Sequence, residues 1–146
     1  MVQRISLADA AEELPLADRG TYNLTLRSLV RKQAQSGQVY FLLTAAFTDG
    51  GHPNIKQTLF APGEKDDAAR AEDRVREFVR LLKGFDIPLT EDDTMEDFEP
   101  QADDVQGATG DFTVYVGTDK DQDGEEYEVN KISLAPPRRY KTSGRG

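Results

Sequence analysis

The apolar residues change their spacing twice along the chain, and these changes constrain the fold more than any other feature. From Thr21 the period is two, with Tyr22, Leu24 and Leu26 on one face and Asn23, Thr25 and Arg27 on the other, as in a half-buried strand running to about Lys32. The polar stretch 33–38 supplies a hairpin loop, and Val39 to Thr48 follows as a near-continuous run of β-formers, read as a central strand. Asp49-Gly50-Gly51-His52-Pro53-Asn54 is dense turn chemistry, and Ile55 to Phe60 completes a meander. Beyond Pro62-Gly63 the period becomes helical. Ala68, Ala71, Val75, Phe78, Val79 and Leu82 share one face, with Asp66 or Asp67 placed as N-cap and Gly84 as the C-terminal stop. Alternation restarts at Gly110 with Phe112, Val114 and Val116. The acidic tip 119–124 turns the chain, and Tyr127 to Leu134 returns as a fifth strand, its phase shift between Val129 and Ile132 predicting a bulge near Asn130.

Three strands, one helix and a two-stranded hairpin make up the element order of a mainly β, five-stranded OB-fold-like barrel with an amphipathic helix between strands 3 and 4. An α+β sheet with one packed helix gives the same string. The 146 residues suit one domain. We place it at 20–137, with an N-terminal arm over 1–19 that is broken by Pro15 and a basic C-terminal tail over 138–146. Within the domain, 89–109 is rich in acid and poor in apolar residues, and reads as a mobile acidic loop.

Composition removes many function classes. Without cysteine there is no disulfide framework, zinc knuckle or thiol nucleophile, and a single histidine, His52, builds no His-rich metal site. Neither a phosphate-binding loop nor a dinucleotide fingerprint occurs. Asp119, Asp121, Asp123 and Gly124 match the opening of a calcium loop, but the twelfth position is Asn130 where a bidentate Glu is needed, and strands flank it where helices belong. The expectation is therefore a protein without catalytic activity, cofactor or metal. No apolar stretch approaches membrane-spanning length, and Met1-Val2-Gln3-Arg4 leads into no signal-peptide core, so a soluble protein without an evident export signal is expected.

The net charge of −9 speaks against nucleic acid until it is divided along the chain. Residues 61–110 hold fifteen of the 27 acidic residues, whereas between Tyr22 and Phe60 the only acid is Asp49. Charges are screened over about 8–10 Å, so such regions act separately. Arg27, Arg31, Lys32 and Lys56 are the candidate phosphate contacts, and Tyr40 and Phe60 the candidate stacking rings, because a single strand needs cations along its backbone and π-faces for its bases. In the tail, Arg138, Arg139, Tyr140 and Lys141 would extend the groove.

Gly20-Thr21-Tyr22-Asn23-Leu24-Thr25-Leu26, the run Val39-Tyr40-Phe41-Leu42-Leu43, the helix end from Phe78 to Pro88 and the stretch Tyr127 to Ile132 with its following prolines resemble small phage-encoded OB-fold single-stranded DNA-binding proteins. That resemblance implies sequence-independent binding of single-stranded DNA in phage replication and recombination. It also implies action in the bacterial host cytoplasm, phage or host replication and recombination proteins as partners, and room for a homo-oligomer. Many such proteins end in an acidic recruiting tail, whereas this chain ends in a basic one and carries its acid internally. The competing expectation is a protein-interaction module, a phage inhibitor or adaptor whose acidic loop imitates DNA.

Overall fold

A computed structural model describes residues 14–134. Five strands, β1 (Gly20–Gln33), β2 (Val39–Phe47), β3 (Ile55–Phe60), β4 (Thr109–Lys120) and β5 (Glu126–Ile132), form one antiparallel sheet in the order β3-β2-β1-β4-β5. Helix α1 (Ala68–Gly84) lies between β3 and β4 in sequence, and a single-turn helix, α2 (Ala102–Val105), precedes β4.

The fourteen-residue β1 organises the sheet. Its first half, Gly20 to Thr25, pairs with β4, and from Leu24 to Gln33 it pairs with β2. Between Leu26 and Ser28 the β2 register slips, leaving Arg27 as the extra residue of a bulge that the alternation did not predict. A bulge bends its strand and raises the local twist. The strand thus passes from one neighbour to the other, and the sheet coils until its edges β3 and β5 approach each other. No backbone ladder joins these edges. The Gln57 side chain spans the gap, accepting the Ile132 N–H at 2.8 Å and donating to the Ile132 carbonyl at 3.2 Å.

Alternation along the strands sends Leu24, Leu26, Phe41, Leu43, Ile55 and Val114 into the core, where α1 adds Phe78, Leu81 and Leu82. Phe41 and Phe78 stack at 4.4 Å between centroids. Asp67 caps α1, its carboxylate accepting the Arg70 N–H at 2.8 Å. The helix does not stop at Gly84 by glycine's backbone freedom. Its C-terminal turn closes through Ile87 N–H to Leu82 O and Asp86 N–H to Lys83 O, with Asp86 in the left-handed region at φ 58° and Ile87 buried. Gly84 is required for packing instead: a Cβ there would overlap the Phe112 ring, and a Cβ on Gly110 would overlap the Gly84 carbonyl oxygen. The pair seats the end of α1 directly on β4.

Two further expectations are corrected. β4 and β5 pair without a register shift, so no bulge lies near Asn130. Asn130 instead takes a buried slot on the strand, where its amide accepts the Ala17 N–H at 2.8 Å and donates to the Ala17 carbonyl at 2.9 Å and to Tyr115 O at 3.3 Å. The phase shift marks a polar residue replacing an apolar one at a core position. It also ties residues 14–19, the described part of the arm, to the domain. Residues 1–13 lie outside the described residues.

Nor is segment 89–109 a loop detached from the core. Met95, Phe98 and Val105 are buried, and Phe98 meets the edge of Phe78 at 5.7 Å. The acids serve its turns: Asp93 accepts the Thr90 N–H at 2.7 Å, and Asp97 bonds the Thr94 hydroxyl at 3.2 Å. Gly107 and Ala108 continue alongside β1 through both backbone groups of Leu26. Three apolar anchors spread over eleven positions show no periodicity, yet each buried side chain contributes about 1.5–3 kcal/mol, enough to order a segment whose turns are already capped.

Candidate nucleic-acid interface

Cross-strand register gives the outer face of β1–β3 its pattern. Residues paired across antiparallel strands point to the same side of the sheet. Beyond the bulge, three rows face outward: Lys32, Tyr40 and Phe60; then Val30, Leu42 and Thr58; then Ser28, Thr44 and Lys56. None of these three strands contains an acidic residue. The face also leaves apolar surface in water, with Val30 43% exposed, Leu42 40% and Phe60 42%.

Tyr40 and Phe60 lie side by side, ring centroids 5.7 Å apart at 39°. The Arg74 guanidinium from α1 sits 5.9 Å from the Phe60 ring centroid, within cation–π range. Arg74 is held there by Asp66, Nε to Oδ2 2.8 Å. Asp66 also accepts the Gly63 N–H at 2.9 Å, and these two bonds hold its carboxyl below the usual aspartate range. One turn on, burial pushes the Glu77 carboxyl up, and nearby Asp73 adds to the rise.

The expected site residues divide into three groups. Lys32, Tyr40, Lys56 and Phe60 share the outer face, and Arg27 stands exposed at the bulge beside it. Arg31 does not join them. It is opposite the inward Phe41, and its guanidinium donates to the Glu96 carbonyl at 2.6 and 3.1 Å and pairs with Glu99 at 3.8 Å. This cation clasps the acidic segment to the sheet, because the alternation that would have sent it outward is shifted by the bulge at Arg27. Arg138, Arg139, Tyr140 and Lys141 lie outside the described residues.

Sequence reasoning missed Arg74 and the apolar pair Val30 and Leu42. Helical spacing assigns Arg74 only to a polar face, and nothing in the sequence brings that face to Phe60. At the β4–β5 turn, Asp121 accepts the backbone N–H groups of Asp123 and Glu125 at 2.9 and 3.0 Å, and Asp119 pairs with Lys131 at 2.9 Å, so the acids there fix a hairpin tip. His Nδ1 of residue 52 lies 2.8 Å from the Pro15 carbonyl oxygen, and its ring packs edge-on with Tyr22 and Phe47. Among the described residues no group of three or more His, Asp or Glu is placed to hold a metal ion, and no helix is long and apolar enough to cross a membrane. Neither protein-family models nor curated proteins match this chain.

Proposed function

We propose that this chain is a non-catalytic, OB-fold-like protein that binds single-stranded DNA without sequence preference on the outer face of β1–β3. The observation that carries the reading is the Lys32–Tyr40–Phe60 row, with Lys56 on the same face two rows along, on strands that contain no acidic residue. Bases stacked on the two rings gain about 1–3 kcal/mol each, and every base has a π-face, so such a surface is tolerant of sequence. Arg27, Lys32 and Lys56 track phosphates. The strand order, the helix between β3 and β4 and the Gln57 bridge between β3 and β5 support the OB-fold-like reading, in which this surface of strands 2 and 3 takes the oligonucleotide. A role in phage replication or recombination, in the cytoplasm of a bacterial host, rests on the resemblance alone.

A labelled oligothymidylate of about 4 nucleotides, short enough to occupy the platform alone, titrated at several salt concentrations tests the proposal. Three phosphate contacts predict a slope of log affinity against log salt of about −2. Absence of binding at low salt, or preference for duplex, would overturn it. The second reading, a protein-interaction module that imitates DNA, draws on the ordered acidic segment, whose carboxylates at 91–93 are exposed on a backbone anchored by Met95 and Phe98. It predicts loss of partner binding on neutralising those acids, with no oligonucleotide affinity in the intact protein.

A further inference from the structure

Two clefts meet behind the proposed binding face. The first, about 320 Å³, follows the β3–β5 seam from Phe60 and Arg74 to Arg19. The second, about 870 Å³, runs between α1 and β4 and is lined by Arg19, Arg76, Arg80 and Lys83. Arg19 and Ser133 line both, so the clefts are neighbours. Arg76, Arg80 and Lys83 recur at helical spacing along one exposed stripe, spanning about 10 Å at 1.5 Å per residue. Among the described residues that line this second cleft the only acid is Asp111, which already accepts the Asn23 amide at 2.9 Å. Arg76 has an exposed partner in Glu72, an i,i+4 pair of the kind that yields readily to a competing anion.

We infer that a single strand leaving the Tyr40–Phe60 platform crosses the seam beside Arg19 and Arg74 and lays its phosphates along the basic stripe of α1. The inference rests on the DNA-binding reading and names a second segment of the same path. Charge complementarity and continuity with Phe60 select the occupant. Among the described residues the second cleft is lined by one aromatic ring, Phe112, and it is buried, so the cleft offers the strand cations for its backbone and no ring for its bases. Its contribution is therefore electrostatic, and depends on strand length.

The experiment compares oligothymidylates of about 4 and about 16 nucleotides, the range of site sizes for one such domain. The wild type is measured beside Arg76→Ala/Arg80→Ala/Lys83→Ala and the milder Arg76→Ala/Lys83→Ala, with melts to show that each folds. Alanine favours the helix, so both are expected to fold. On the long strand the triple variant should lower the salt slope by about 2 and the double variant by about 1.4, while affinity for the short strand stays within twofold. An unchanged slope and length dependence in folded variants would overturn the inference and leave the DNA-binding reading standing. Failure of the wild type to bind the short strand would count against that reading itself. Variants that keep their length dependence but lose binding of a labelled oligoglutamate would overturn the inference in favour of an acidic protein segment.

Discussion

Gln57 of β3 brackets the backbone of Ile132 on β5, its amide oxygen 2.8 Å from the Ile132 nitrogen and its amide nitrogen 3.2 Å from the Ile132 oxygen. One side chain thus makes the two bonds that a neighbouring strand would have made. It satisfies an edge that is otherwise open where Ile132 is buried. Gln57→Leu leaves both groups unpaired and should cost about 2–6 kcal/mol, since each orphaned buried polar group costs about 1–3. Gln57→Glu keeps the acceptor and should fall between the two. Urea denaturation and exchange of the Ile132 amide check this, and an Ile132 amide as protected in the leucine variant as in the wild type would show that the side chain does not close the seam.

The acidic segment is expected to be structural. Phe98→Ala should cost about 3 kcal/mol, the lower end for a buried aromatic because the ring lies at the rim of the core beside Phe78. Replacing 91–104 with a Gly/Ser linker should lower the melting temperature by well over the few degrees expected of a change in loop length alone. Arg31→Ala should loosen the same segment, seen as faster amide exchange across 94–99. A linker variant that melts with the wild type would refute this.

On the proposed interface, Phe60→Ala and Tyr40→Ala should each weaken oligonucleotide binding by about 1–3 kcal/mol with little loss of stability, because both rings stand on the outer face. A buried ring would instead cost about 3–5 kcal/mol of folding free energy. Binding curves and thermal melts on the same two proteins distinguish the outcomes.

Asp66 should make stability fall on acidification. Its carboxyl is held low by the Gly63 N–H and by Arg74, so as pH drops through the ordinary aspartate range the unfolded chain takes up its proton first. The stabilisation is present above that range and is lost as pH falls through the lower folded value. In Asp66→Asn this part of the acid decline should disappear, and the Arg74 guanidinium should leave Phe60. Glu77 acts in the opposite sense: raised by burial, it costs stability as pH rises through its range, and Glu77→Gln should relieve that cost at neutral pH. Melting temperatures from about pH 2 to 7 check both signs.

Strand and helix limits could be read from the sequence because they depend on local period. β3 was predicted at Ile55 to Phe60 and is found there, and α1 begins after one of its two candidate caps. The inward set Leu24, Leu26 and Phe78 was equally clear, since alternation and helical spacing are properties of neighbours in the chain. What the tertiary structure decided was every contact between residues far apart in sequence. The bulge at Arg27 sent Arg31 to the acidic segment, the approach of β3 to β5 made Gln57 a bridge, and the packing of α1 on the sheet brought Arg74 to Phe60. Sparse anchors such as Met95, Phe98 and Val105 have no period of their own, so they register only when a surface exists for them to cover. Periodicity tells which face of an element is buried; only the assembled core tells what that face meets.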